Sequence, residues 1–280
     1  MKKFLVQFIL IMGLVVLFSQ AASAQWVQAN GPKGGSINTL AVSGTTIFAG
    51  TYGGGVFLST NNGTSWTAAN SGLTNMIVRS LAVSGNNIFA GTDSGVFLST
   101  NNGASWTGVN SGFLSNTSVY ALAVSGSTIF AGTYGSGVFL STNSGTSWIA
   151  ANNGLKNMNV YSFAVSMNNI FAGTDEGVYL STNNGTNWTA VNNGLTTYRT
   201  IQSLAVSGNT IFAGTAGYGV FRSTNNGTSW TAVSNGLVNM NVYSLAVSGN
   251  NIFAADWGAG VFLSTNNGTS WNAVNNGLTT

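Results

Sequence analysis

The sequence has no cysteine, no histidine and a single proline, and charged residues make up only 4% of its 280 residues. The absence of cysteine excludes disulfide bridges and thiolate metal sites. The absence of histidine excludes a Ser-His-Asp relay, imidazole-ligated zinc and acid-base catalysis by histidine. We therefore expect no cofactor and no metal centre.

The scarcity of charge also limits the kinds of partner. About a quarter of the residues in an ordinary soluble domain are charged, whereas this chain has seven Lys and Arg against four Asp and Glu, a net charge of +3. No stripe of basic residues is available to neutralise phosphates, so we expect no nucleic-acid partner. The hydrophobic content of 44% indicates a folded chain and not a disordered one.

The first residues have the pattern of a secretory signal peptide over residues 1–24. Two lysines precede an apolar run from Phe4 to Phe18, and the small residues Ala22 and Ala24 follow it. The run of about fifteen residues is shorter than the roughly 20 that span a bilayer, which favours a cleaved signal over an anchor. No later segment is apolar enough to span. We expect a monomeric mature protein that is secreted, periplasmic or held at the cell surface.

An eight-residue motif, STNNGTSW at Ser59 to Trp66, recurs almost unchanged at intervals of 40 to 42 residues. Its six copies end at Trp66, Trp106, Trp148, Trp188, Trp230 and Trp271. A fixed period of about 41 residues is typical of a propeller or a solenoid.

Each period contains four short apolar runs between turns rich in Gly and Asn. In the second period these runs predict strands at residues 78–84, 88–91, 95–100 and 105–110. Four antiparallel strands in about 41 residues make one propeller blade. We therefore predict an all-β fold, a single β-propeller of six four-stranded blades over residues 25–280, with an open β-solenoid as the alternative.

The first and last strands leave the closure of the ring open. Residues 25–30, QWVQAN, match a fourth strand, so the mature chain opens with an extra outer strand. The last period already has its own fourth strand at residues 270–275. Either six blades close and this leading strand is left over, which we favour, or the chain is part of a longer product with seven blades.

The repeated motif predicts a tight turn between the third and fourth strands. Gly63 is free to take a positive φ, and Asn61 can bond backbone N–H groups nearby. Ser59 can bond across the hairpin, and Trp66 covers it. The motif resembles the Asp-box, Ser-x-Asp-x-Gly-x-Thr-Trp, of the bacterial neuraminidase repeat family, which includes sialidases, sortilin-type receptors and photosystem assembly factors.

The resemblance extends over all six periods and implies a β-propeller whose boxes lie opposite its ligand face. Asn replaces the Asp of the family in every copy, at Asn61, Asn101, Asn143, Asn183, Asn225 and Asn266. Asn still accepts backbone N–H groups, so the turn survives without six negative charges. The arginine triad of sialidases cannot be assembled from Arg79, Arg199 and Arg222, since Arg222 adjoins a box.

Two positions vary among otherwise similar repeats, and both are expected on the rim opposite the boxes. The first, just before the first strand, comprises Asn38, Arg79, Tyr120, Tyr161, Gln202 and Tyr243. The second, in the loop between the second and third strands, comprises Tyr52, Asp93, Tyr134, Asp175, Glu176, Tyr218, Asp256 and Trp257. Aromatic rings beside polar groups suit a glycan or peptide ligand. The alternative is that the tyrosines fill space near the axis.

The four acids all belong to the second set. A glycoside hydrolase needs two carboxylates roughly 5 to 9 Å apart, and acids on alternate blades are expected to lie farther apart than that. Asp also suits a hairpin turn. Three hypotheses follow: a non-catalytic protein that binds a protein or carbohydrate, a glycoside hydrolase that uses these acids, and a structural module of a larger surface or adhesion protein.

Overall fold

The computed structural model describes residues 26–27, 29, 31–32, 35–113, 117–195 and 200–278. The predicted signal peptide lies outside these residues. All regular elements of the described residues are β-strands, as predicted. The described part of the chain includes no helix long and apolar enough to cross a membrane.

The strands fall into four groups according to their order in each repeat. The first strands are β1 (Ile37–Ser43), β5 (Val78–Ser84), β9 (Val119–Ser125), β13 (Val160–Ser166), β17 (Ile201–Ser207) and β21 (Val242–Ser248). The second strands are β2 (Thr46–Thr51), β6 (Asn87–Thr92), β10 (Thr128–Thr133), β14 (Asn169–Thr174), β18 (Thr210–Thr215) and β22 (Asn251–Asp256). The third strands are β3 (Val56–Ser59), β7 (Gly95–Ser99), β11 (Val138–Ser141), β15 (Gly177–Ser181), β19 (Gly219–Ser223) and β23 (Gly260–Ser264). The fourth strands are β4 (Thr67–Ala68), β8 (Thr107–Gly108), β12 (Ile149–Ala150), β16 (Thr189–Ala190), β20 (Thr231–Ala232) and β24 (Asn272–Ala273).

Each repeat forms one antiparallel sheet whose strands lie in sequence order, from β1-β2-β3-β4 in blade 1 to β21-β22-β23-β24 in blade 6. The prediction of six four-stranded blades in a propeller is confirmed. The fourth strands are shorter than predicted. In blade 2 only Thr107 and Gly108 pair with β7, and the N–H of Val109 adds one further bond to the carbonyl of Val96.

The blades stack face to face, with first strands side by side: β1 packs on β5, β5 on β9, β9 on β13, β13 on β17 and β17 on β21. In the first interface Phe48 and Val56 of blade 1 form one core cluster with Val78, Leu81 and Ile88 of blade 2. Burying each such side chain contributes about 1.5–3 kcal/mol. A sheet of this size has two apolar faces, so each blade depends on its neighbours for burial.

The box tryptophans connect successive blades, a contact that the sequence pattern did not predict. Trp106 of blade 2 donates its indole N–H to the carbonyl of Ala69 in blade 1 at 2.7 Å, and its backbone N–H to the carbonyl of Ser71 at 2.8 Å. The indoles of four further tryptophans dock on the preceding blade in the same way: Trp148, Trp188, Trp230 and Trp271. A buried indole N–H needs an acceptor, and the preceding blade supplies it.

Each box is held by its Asn and Ser side chains, as blade 3 illustrates. Asn143 Oδ1 accepts the hydroxyl of Ser141 at 2.8 Å and the N–H of Ser147 at 3.0 Å, while its Nδ2 donates to Ser147 Oγ at 2.9 Å. Gly145 takes a φ of 83° and donates its N–H to Ser141 Oγ at 2.9 Å. The predicted turn, with its left-handed glycine, is confirmed.

Three residues of the predicted leading strand are described, Trp26, Val27 and Ala29, and this leading segment lies between blade 6 and blade 1. Trp26 donates its indole N–H to the carbonyl of Val274 and its backbone N–H to the carbonyl of Asn276 at 3.1 Å, as a box tryptophan does on a preceding blade. On its other side Ala29 lies next to Gly63, in the box of blade 1. Strands β21 and β1, both fully described, do not pack on each other as the other first strands do. The leading strand is therefore not left over, because it joins the two end blades.

We expect Asn143→Ala to lower the free energy of unfolding by about 1–3 kcal/mol, because the N–H of Ser147 and the hydroxyl of Ser141 lose their acceptor. Asn143→Asp keeps the acceptor and should melt much closer to the wild type. Thermal unfolding followed by circular dichroism measures both. Equal losses in the two variants would contradict the acceptor role of Asn143.

Candidate ligand-binding rim

The antiparallel order of each blade places its turns at two opposite ends. The turn between first and second strands lies at the same end as the box. The loop between second and third strands lies at the other end, with the link to the next blade. We call this second end the loop rim. The two variable positions therefore share the end that faces away from the boxes.

The first set of variable residues occupies a β-bulge that recurs in every blade. In blade 2, Val78 pairs with Thr92 and Ser80 with Gly91, so that Arg79 is the extra residue. The same shift in register occurs at Asn38, Tyr120, Tyr161, Gln202 and Tyr243. These residues lie within the first strands, at their second position, as the predicted strand 78–84 already had it for Arg79. A bulge redirects a side chain and bends its strand.

One signal in the sequence pointed to this bulge. Val78 and Leu81 are three residues apart, yet both are buried in the interface between blades 1 and 2. In a regular strand, residues three apart face opposite sides. Because Arg79 is an extra residue, Val78 and Leu81 can both face the interface, and the Arg79 side chain points away from the core.

Within blades 2 and 3 the bulge residue contacts the loop residue fourteen positions later. Arg79 donates Nη2 to Asp93 Oδ2 at 3.0 Å and Nε to Asp93 Oδ1, a bidentate ion pair in which each side chain is 23% exposed. The hydrogen bond that Arg79 donates to this carboxylate raises the pKa of Arg79 above its ordinary value. Tyr120 stacks on Tyr134 with 5.6 Å between ring centroids.

In blade 4 the equivalent pair is Tyr161 and Asp175. Asp175 Oδ2 accepts the hydroxyl of Tyr161 at 3.2 Å and the amide of Asn159 at 2.8 Å, and Oδ1 accepts the hydroxyl of Thr200 at 3.1 Å. Burial first, and then the charge of Asp175, raise the pKa of Tyr161 above its ordinary value. The tyrosine hydroxyl is therefore a stable donor to this carboxylate.

The pairs of blades 2, 3 and 4 join into one surface. The guanidinium carbon of Arg79 lies 4.2 Å from the centroid of the Tyr120 ring. Tyr161 meets Tyr120 edge to face, with centroids 5.8 Å apart and an interplanar angle of 80°. Both geometries are attractive. We name this surface the rim cluster, which consists of Arg79, Asp93, Tyr120, Tyr134, Tyr161 and Asp175.

The remaining predicted residues lie outside the rim cluster, although Tyr52 is close enough to Arg79 to raise its pKa. Tyr243 and Trp257 form an exposed aromatic pair on blade 6, with centroids 5.1 Å apart. Tyr52 and Tyr218 are exposed on the loops of blades 1 and 5, and Gln202 is half-buried.

Asn38, the bulge residue of blade 1, bonds to backbone and not to a loop residue. Its Nδ2 donates to the carbonyl of Val78 in blade 2 at 2.9 Å. Its side chain therefore helps to join two first strands.

Asp256 differs from the prediction. It is the last residue of β22, the place that Thr215 holds in β18, and it is buried, so that Trp257 takes the exposed loop position. Its Oδ2 accepts the N–H of Asn239 at 2.9 Å, but its buried Oδ1 has no hydrogen-bond partner among the described residues. Burial raises the pKa of Asp256 above its ordinary value. A ligand on the loop rim would not touch this carboxylate.

The other charged residues named from the sequence have separate surroundings. Glu176 is exposed beside Asp175, and its N–H donates to Thr174 Oγ1 at 3.1 Å. Arg222 donates to the carbonyl of Asn267 in the box of blade 6 at 2.9 Å, at the end opposite the rim cluster. Arg199 lies outside the described residues.

We expect Asp256→Asn to stabilise the protein at neutral pH, because the amide keeps an acceptor for Asn239 and removes a buried charge. Below the unfolded-state pKa of about 3.9, Asp256 is protonated in both the folded and the unfolded protein, so its burial costs no charge. As the pH rises towards the raised folded-state pKa and past it, the unfolded protein loses this proton more readily, and the free energy of unfolding falls. The advantage of the variant should be small near pH 3 and reach about 1–3 kcal/mol at pH 7.

Urea unfolding of both proteins across this pH range measures the difference. Glu176→Gln, an exposed acid of the same type of loop, is the control and should give a smaller change. An advantage of Asp256→Asn that is independent of pH would contradict the burial of a charged form.

No protein-family model matches this chain, and no curated protein matches it. Solved structures match it well. An ancestral GH74 enzyme superposes with a TM-score of 0.71 at 25% identity, over 90% of this chain and 40% of its own. The extracellular domain of a protein from B. thetaiotaomicron, named as a one component system, superposes with a TM-score of 0.73 at 16% identity, over 90% of this chain and 34% of its own.

YCF48 bound to D1 peptide superposes with a TM-score of 0.66 at 15% identity, over 86% of this chain and 82% of its own. This chain spans 40% of the length of the ancestral GH74 enzyme and 34% of the length of the B. thetaiotaomicron protein. The similar structures are β-propeller proteins, and they include enzymes as well as binding and sensing domains.

Proposed function

We propose that this protein is an exported, non-catalytic β-propeller that binds a protein or carbohydrate ligand through the rim cluster. The observation that carries the proposal is the continuous contact from Arg79 through Tyr120 to Tyr161, across three blades. In each blade the side chain comes from a bulge, which is the position where the repeat departs from its core pattern.

The chemistry of the rim cluster suits recognition. Tyr134 is 56% exposed and stacks on Tyr120, so it presents a flat aromatic surface that is already held in place. Rigid tyrosines provide contact area at low entropic cost. The carboxylates of Asp93 and Asp175 flank the rings and give polar groups that hydroxyls or amides of a ligand can reach.

Three of the four acids, Asp93, Asp175 and Asp256, are engaged in ways that favour binding over hydrolysis. Both oxygens of Asp93 bond to Arg79, and both oxygens of Asp175 accept protein donors. Asp256 is buried. A general acid must deliver a proton to the leaving group, and a nucleophile must approach the sugar. Each oxygen of Asp93 and Asp175 already accepts a hydrogen bond from the protein, which disfavours both roles.

Two comparisons support a binding role outside the cytoplasm. One similar structure is an extracellular domain, and another is a propeller bound to a peptide. The resemblance of the repeated motif to the Asp-box supports a ligand face opposite the boxes, where the rim cluster lies. The signal-peptide pattern of residues 1–24 supports export.

The GH74 enzymes among the similar structures favour hydrolysis as a second candidate. This candidate needs two rim carboxylates to act on one glycosidic bond. Asp93 and Asp175 are the pair of the rim cluster that it would use.

We expect the protein to bind members of a glycan array or a peptide array, and we expect Tyr120→Ala/Tyr161→Ala to weaken that binding by at least about tenfold, because aromatic contacts typically contribute about 1–3 kcal/mol. Tyr218→Ala is the matched control: it removes an exposed tyrosine from the same rim, outside the rim cluster, and should leave binding unchanged. Unchanged binding by the double variant would remove the rim cluster as the site.

The hydrolase candidate is tested on xyloglucan and on aryl glycosides, with sugar release as the measurement. We expect no turnover by the wild type. Turnover that disappears in Asp93→Asn/Asp175→Asn and persists in Tyr218→Ala would instead assign a glycoside hydrolase.

A further inference from the structure

The seam between blade 6 and blade 1 holds the leading segment in the place of a fourth strand, without the three strands that would lie inside it. Trp26 docks on blade 6 as the five later box tryptophans dock on the blade before them. Ala29 lies beside Gly63 as Ala69 lies beside Gly103 one blade later. Because the same two contacts elsewhere span one blade step each, blades 6 and 1 are separated by one whole blade. We call the space inside the leading strand, between β21 and β1, the seam slot.

The wall that blade 1 contributes is apolar and open to solvent. Leu40 is 60% exposed, whereas its counterpart Leu81 in blade 2 is 8% exposed. Ile37 and Val42 on the same strand are also exposed, although Val78, the counterpart of Ile37, is completely buried. Three large apolar side chains on one short strand form a patch of the kind that marks an interaction surface.

The opposite wall, on blade 6, also exposes apolar side chains that are buried in the other blades. Phe253 and Val261 are partly exposed. Their counterparts in blade 5, Phe212 and Val220, have no exposed surface because blade 6 packs on them. No residue of β1 or β21 carries a charge.

Hydrogen bonds that join other blades are missing at the seam slot. The N–H of Leu245 in β21 donates to Ser203 Oγ in β17 at 2.9 Å. No such bond joins Leu40 to Ser244, although both residues are described. The indole N–H of Trp66 is buried without a partner among the described residues. Its acceptor in the pattern of the other blades would be Ala29 of the leading segment, whose carbonyl instead accepts the N–H of Gly31 at 2.8 Å.

The inner edge of the leading strand is also available for pairing. In blade 1 the fourth-strand residue Thr67 pairs with Leu58 of the third strand. Val27 has the equivalent place in the leading segment and pairs with no strand of the described residues. An unpaired edge beside two apolar walls is the arrangement that accepts an added strand.

We propose that the seam slot accepts a three-stranded antiparallel unit of this same repeat, presented by a second polypeptide, and that the leading strand completes it as a seventh blade. The occupant carries two apolar faces, one for each wall, and little charge. This chemistry is that of the inner strands of the blades already present, whose faces fit both kinds of wall.

A synthetic peptide of residues 78–99, which contains β5, β6 and β7, tests this in trans. Calorimetric titration into the purified protein should show saturable binding of one peptide per protein. A peptide with Leu81→Asp and Phe89→Asp, which places a charge on each apolar face, should bind at least about tenfold more weakly. Absence of binding by the first peptide, or equal binding by the second, would overturn the proposal.

Two variants of the protein locate the binding. Leu40→Asp should weaken it at least about tenfold, because a charge would face the buried side of the peptide. Ile149→Asp is the matched control, since Ile149 is 62% exposed on β12, away from the seam slot. Equal affinity of the two variants would place the peptide elsewhere. A single-strand peptide of residues 201–207 that binds as tightly as the three-stranded one would assign the slot to any extended apolar segment.

Joining a copy of the three strands covalently to the end of the chain tests whether the seam slot accepts them, without a soluble peptide. A copy of residues 238–264 is placed after Leu278, instead of Thr279 and Thr280. This protein should melt at a higher temperature than the wild type. The indole N–H signal of Trp66 in nitrogen-15 NMR should shift, because pairing of the leading segment with the added strands would bring Ala29 into the place that Ala69 holds as acceptor of Trp106. The same extension with Leu245→Asp in the copied strand should show neither effect. No gain in melting temperature together with an unmoved Trp66 signal would exclude the seventh blade.

Discussion

The structure depends on one constraint: a four-stranded sheet of about 41 residues has two apolar faces and can bury neither alone. Each blade is completed by the next, through second-strand phenylalanines such as Phe89 that lie completely buried between sheets. The indole of each later box tryptophan adds a hydrogen bond to the preceding blade, as Trp148 does to Val109. Stability therefore accumulates from one interface to the next, and the interfaces explain why the core positions hardly vary between repeats.

The bulge separates the variable residues from this constraint. In a regular strand every second residue faces a neighbouring blade, so a change from Arg79 to Tyr120 to Gln202 would disturb the interfaces. Each of these residues is the extra residue of a bulge, so its side chain stays out of the apolar core between the blades. Val78 and Leu81, on either side of Arg79, remain in the core. The repeat thus provides six positions where chemistry can change at little cost in packing.

The fold itself does not decide the function, because similar propellers include GH74 enzymes and a peptide-bound protein. The distinction rests on the side chains of the loop rim. Arg79 and Asp93 form an ion pair with each other, and the carboxylate of Asp175 accepts hydrogen bonds from neighbouring side chains. The boxes contribute hydrogen bonds and no charge, because a neutral Asn stands in each of them and, as in Asn143, its amide bonds within the turn.

The sequence by itself determined the strand pattern, the six four-stranded repeats and the residues that vary between them. These features depend on local alternation and on turn residues such as Gly63, which a single chain segment carries. Only the tertiary structure decided that Asp256 is buried, that Tyr161 meets Tyr120, and that the leading strand joins blade 6 to blade 1. Each of these depends on register or on the placement of one blade beside another, and contacts between residues about 40 or more positions apart are not encoded in any local pattern.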